Sequence, residues 1–174
     1  VRGFGPIVAA ALLLAACHRT AADAPPFDAN AFVATAANIA YSDVDLGDFA
    51  ARRGRLPQTK QLGAAVAAEQ RALLAQLAPI AQRRGIQMPN VLEDRRAALH
   101  QNLSILPGQV FDRSWALALV QDYDALSTGL GAAAKSDDDL RAFSARVQPA
   151  VAARRQAVAA LLNRLGGSPF NVAP

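Results

Sequence analysis

"QLGAAVAAEQRALLAQLAPIAQRRG", residues 61–85, is rich in Ala and Leu and ends at Gly85. Ala and Leu favour helix, and at 3.6 residues per turn Val66, Leu73, Leu74 and Leu77 share one face. Gln70 lies among them on that face. Pro57 suits the first turn of such a helix, Arg84 precedes the Gly stop, and Pro79 kinks the last turns. A long helix with one apolar stripe has to bury it against other helices, so the segment points to an all-α body.

The flanking punctuation divides the body into five helices. The first runs from the N-cap Asp28 to Arg53, before Gly54, and the second from Pro57 to Arg84. A loop, "GIQMPN", leads to a short helix near Val91 to Ser104. The next starts after Pro107 and Gly108 and ends near Lys135, and the last begins at Asp137, Asp138 and Asp139 and ends at Gly166 and Gly167. Four long helices with short connections predict an up-down-up-down bundle over residues 28–166, the short helix being an extra piece in the longer crossing. Residues 167–174 read as a loose tail.

Ahead of the body, an apolar run from Ile7 to Ala16 leads into Cys17, the only cysteine among 174 residues. That pattern reads as a signal peptide over residues 1–16, too short to remain as a transmembrane helix, which takes about 20 apolar residues. The stretch "LAAC", residues 14–17, resembles the lipobox of bacterial lipoproteins, in which the cysteine is acylated and becomes the new N-terminus. A lipid attachment point needs no disulfide partner. The segment 17–27, with Pro25 and Pro26, reads as a tether. The lipoprotein resemblance further implies, from His18 after the cysteine, sorting to the outer membrane and a body facing the periplasm. The expected membrane contact is the lipid on Cys17, alongside an unidentified envelope partner.

The net charge is +4, with many Arg and few Lys. The pairs Arg52-Arg53, Arg83-Arg84 and Arg95-Arg96 fall at or near predicted helix ends, where cations complement the helix dipole or are solvated. No basic stripe interleaves with aromatics, so no nucleic-acid partner is expected.

Three stretches, "AFVATAANIAYSDVDLGDFAARRG", "QLGAAVAAEQRALLAQLAPIAQRRGIQMP" and "FDRSWALALVQDYDALSTGL", followed by "LRAFSARVQPAVAARRQAVAALL", resemble in order and spacing the bacterial envelope proteins of domain of unknown function family 4142. The resemblance spans about residues 30–165 and implies a ferritin-like four-helix bundle with no agreed activity. It also implies acidic residues in the first helix, echoed by Asp43 and Asp45. Asp-His pairs are implied in the second and fourth helices, where this chain has Glu69-Gln70 and Asp122-Tyr123, and a His in the last, where it has Arg154. All three histidines are replaced, which counts against a metal role here.

Helical wheels reach the same positions independently. Asp43 borders the stripe of Phe32, Ile39 and Leu46; Tyr123 is centred among Leu119, Val120 and Leu126; Arg154 falls between Val151 and Val158. Each lies near the middle of its helix, so Asp43, Gln70, Tyr123 and Arg154 are expected to form one central polar layer. In that reading Arg154 pairs with Asp43, and Glu69 and Asp122 stand in reserve at the stripe edges.

A ferritin-like di-iron centre needs Glu-x-x-His pairs on two helices. Here Glu69 and Glu93 are followed at the third position by Ala72 and Arg96, and the histidines are His18, in the tether, and His100, on the short helix. Neither a Ser/His/Asp set nor a Gly-rich phosphate loop is present. The expectation is therefore a non-enzymatic structural or interaction module with no cofactor and no metal. The alternative is a binding protein with a residual metal or small-ligand site at the bundle centre.

Overall fold

The computed structural model describes residues 26–166. The apolar run 7–16, Cys17, most of the tether and the tail 167–174 lie outside the described residues. Five helices and no strands make up the described part: α1 (Ala29–Arg53), α2 (Pro57–Arg83), α3 (Asp94–Ser104), α4 (Gly108–Ala133) and α5 (Asp138–Arg164). None of them is long and apolar enough to cross a membrane.

The caps explain the starts. The Asp28 carboxylate accepts from the N–H groups of Asn30 and Ala31, Pro57 opens α2, and Asp137 accepts from Leu140 N–H at 3.1 Å. Pro79 and Pro149 are accommodated inside α2 and α5. The short helix starts three residues later than its apolar pattern suggests, because Val91 and Leu92 belong to the loop that carries the chain across the bundle.

Cross-helix contacts give the direction of each element. Gly47 of α1 meets Gly63 and Ala67 of α2, so these two are antiparallel neighbours. The Trp115 indole N–H donates to Leu46 O at 3.0 Å, while Phe32 lies against Gly129, which makes α1 and α4 antiparallel as well. Ser144 Oγ donates to Leu130 O at 2.8 Å and Arg155 pairs with Asp124, so α5 runs against α4. Helix α5 also runs against α2, through Arg83 to Asp139 and Arg154 to Glu69. Consequently α2 and α4 point the same way, and the path is up-down-down-up. The expected up-down-up-down order is incorrect. The connection from α2 to α4 is long enough to return along the whole bundle, and α3 is the part of it that climbs beside α1.

A carboxylate fixes the entry to α4. Asp112, fully buried, accepts from the backbone N–H groups of Arg55 and Leu56, both at 2.9 Å, and so ties α4 to the α1–α2 turn. The core between the helices is filled by Val33, Leu46, Val66, Leu77, Trp115, Leu119, Phe143 and Val158, each buried completely.

The tightest approach is between α1 and α2. A Cβ on Gly63 would come within 2.6 Å of Gly47 O and 2.7 Å of Ala51 N, both backbone atoms that cannot swing aside. Gly131, also helical, has nothing within 4 Å of its Cβ position. Gly63→Ala should therefore cost about 1–3 kcal/mol through overpacking. Gly131→Ala should instead stabilise by about 0.4–1 kcal/mol through helix propensity and unfolded-state entropy. Denaturant melts of the two variants beside the parent chain check the opposite signs.

Candidate functional site

Three of the four expected residues meet at the middle of the bundle. Asp43 from α1, Gln70 from α2 and Tyr123 from α4 are all buried to within 1%. Gln70 Nε2 reaches Asp43 Oδ2 at 3.5 Å, a long contact. The second Asp43 oxygen, Gln70 Oε1 and the Tyr123 hydroxyl have no hydrogen-bond partner among the described residues. Asp122, one residue before Tyr123, is also buried and faces Asp43.

Burial pushes the Asp43 carboxyl well above the usual carboxylate range, and the adjacent Asp122 carboxylate adds to the shift. Asp43 is therefore held in its protonated form beside Asp122, which Arg96 engages. Burial likewise raises the Tyr123 hydroxyl, with Asp43 contributing, so the phenol stays protonated.

The fourth residue lies at the edge of this group. Arg154 makes a two-pronged pair with Glu69, Nε to Oε2 at 2.9 Å and the second nitrogen to Oε1, with a fifth of its side chain exposed. It does not pair with Asp43. The α5 stripe does bring the Cα inward, yet the long side chain bends out to a half-exposed carboxylate, which avoids taking a guanidinium wholly out of water.

The partner that the wheels do not reveal is Arg96, on α3. Its guanidinium donates to Asp122 at 2.5 Å, partly buried, so it is neither solvated nor at a helix C-terminus. Glu69 and Asp122, read as stripe-edge reserves, are thus the residues that hold the two arginines. On the same strap the His100 ring nitrogen lies 3.2 Å from Ser42 Oγ, and burial lowers its pKa. A polar line therefore crosses the bundle, from Arg96 through Asp122, Asp43, Gln70 and Tyr123 to the Glu69–Arg154 pair.

A family profile described as a domain of unknown function, DUF4142, matches residues 15–161, most of the chain. The chain belongs to the DUF4142 family. No curated protein matches it. In fold, the DUF4142 chain is similar to the crystal structure of a DUF305 fragment from Deinococcus radiodurans, with a TM-score of 0.68 and 15% identity. That likeness covers 80% of the DUF4142 chain and 99% of the fragment.

The donor set at the centre of this DUF4142 chain is one protonated carboxyl, an amide and a phenol, flanked by two carboxylates that guanidinium groups engage. A two-metal centre of the ferritin-like kind wants four carboxylates and two imidazoles, and this set does not fit it. Among the described residues, no group of three or more His, Cys, Asp or Glu gathers in a metal-holding arrangement.

The native chain keeps the Asp43 proton at pH values where the unfolded chain has released it. Stability from this group is full below the ordinary carboxylate pKa of about 4 and is lost as pH rises through the raised native value. Asp43→Asn, which keeps the shape and cannot ionise, should gain on the parent as pH rises. Urea midpoints between about pH 4 and pH 8 should show the difference widening in favour of the variant. A double-mutant cycle on Glu69 and Arg154 should return a coupling of no more than about 1 kcal/mol, the value of a partly exposed pair. The same cycle on Asp43 and Arg154 should return none.

Proposed function

We propose that this protein is a lipid-anchored helical module of the bacterial envelope, with a ferritin-like bundle facing the periplasm, and that it acts by interaction and not by catalysis. The anchor reading rests on "LAAC" at residues 14–17, with the only cysteine of the chain at its end.

One observation carries the non-catalytic reading: the polar side chains that flank the neutral centre serve as cross-links between helices. Arg154 and Glu69 join α5 to α2, Arg96 and Asp122 join α3 to α4, Asp112 holds the α1–α2 turn, and Ser42 holds His100. A general acid or base has to reach a substrate proton, whereas these groups are spent on one another. The outer membrane is the proposed location, by the lipoprotein pattern with His18 following Cys17.

Labelled fatty acid fed to cells should appear in the parent chain in the membrane fraction and be absent from a Cys17→Ser chain. Label on the serine variant would remove the anchor from the proposal.

A further inference from the structure

Where α2, α4 and α5 meet, a cavity of about 120 Å³ is walled by Leu73, Val147 and Val151. Gln70 and Tyr123 line it as well, both buried to within 1%. Each carries a buried polar atom with no hydrogen-bond partner among the described residues, Gln70 Oε1 and the Tyr123 hydroxyl. Gln70 turns its Nε2 toward Asp43, so the oxygen is the atom left for the cavity. The exposed lining residues Ala72, Arg146 and Ala150 place the mouth at the α2–α5 seam.

Two buried polar groups without partners carry a desolvation cost, which an occupant answering both would remove. Gln70 Oε1 can only accept, whereas the protonated phenol of Tyr123 can donate. One hydroxyl meets both, giving its proton to Gln70 and accepting that of Tyr123. Water has the same two roles but leaves the apolar walls uncovered, so a hydroxyl on a short hydrocarbon chain is the better match. Charge on the lining is balanced, Glu69 against Arg146, and Glu69 is engaged by Arg154. A carboxylate would set acceptor against acceptor at Gln70, and an ammonium would bring charge to a centre where even Asp43 keeps its proton. Size narrows the choice further. An apolar cavity of about 150 Å³ holds a benzene ring, so this one takes a molecule of about five non-hydrogen atoms.

We propose that the α2–α4–α5 cavity binds a short neutral alcohol, its hydroxyl between Gln70 and Tyr123 and its chain along Leu73, Val147 and Val151. The site needs neither the anchor nor an envelope location.

The test is methyl NMR on the full chain, with isotopically labelled Leu and Val, titrated with n-butanol. The expected result is saturable shifts at Leu73, Val147 and Val151, with a Kd on the order of 1 mM, as suits so small a ligand. Methyl propyl ether, of the same size but with no proton to donate, should bind about fivefold more weakly. Tyr123→Phe should weaken butanol by a similar factor and leave the thermal melt in place, because the hydroxyl it removes has no partner in the protein. Ala150→Phe, at an exposed position on the mouth, should abolish binding, again without moving the melt. The proposal is overturned if the shifts do not saturate, in which case the cavity keeps water only, or if either variant binds butanol like the parent. It is also overturned if butyrate or butylammonium binds as tightly as the alcohol, since the site then selects charge. Shifts that saturate at Leu126 and not at Val147 and Val151 would overturn it too, by placing the alcohol elsewhere in the bundle.

Discussion

Where α1 crosses α2, backbone rests on backbone. Gly47 and Gly63 remove the two side chains that would hold the axes apart, and the remaining geometry follows from that closeness. A pair of helices drawn together along one edge of a four-membered ring leaves slack along another. The slack lies between α1 and α4, where Trp115 bridges to Leu46 toward one end and, toward the other, the Phe32 ring packs on Gly129 beside an open groove. The same close approach positions the α1–α2 turn so that Asp112 can take two of its backbone N–H groups, and this in turn sets the direction in which α4 descends.

The polar centre is arranged so that charge lies at its ends and neutrality at its middle. Guanidinium groups stand at both edges, each against a carboxylate with some access to water. Between them Asp43 holds its proton, and the amide of Gln70 and the phenol of Tyr123 carry no charge. Such a line has low electrostatic cost for its depth, since no isolated charge is taken out of water. It also restricts the register of the helices, because sliding any one of them by a turn would bury an unpaired ion.

Much of this was legible in the sequence, and the parts that were not share a cause. Helix extents follow from local chemistry: Asp28 as a cap, Pro57 at a first turn, Gly85 and Gly166 as stops. The burial of Asp43, Gln70 and Tyr123 follows from periodicity, because short or rigid side chains end near where their Cα atoms point. Arg154 violates that rule, since its head is several bonds from the backbone and settles on Glu69. Chain direction in α4 is hidden for a different reason. A connection of some twenty residues permits either a hairpin or a return, and the deciding contact, Asp112 with the turn at Arg55 and Leu56, joins positions more than fifty residues apart. Arg96 was hidden with it, because its role depends on where the crossing lies.

Helix α3 is attached by unusual means. It buries one side chain, Leu103, and is otherwise held by Arg96 on Asp122, His100 at Ser42, Asn38 on Glu93 and the Ser104 carbonyl on Arg53. The four long helices cohere by extensive apolar burial, whereas α3 is held by one partly buried ion pair, three hydrogen bonds and the packing of Leu99 and Leu103. The protein thus contains two layers of order: a frame that opens only with its whole core, and a band around it that opens separately at a smaller free energy.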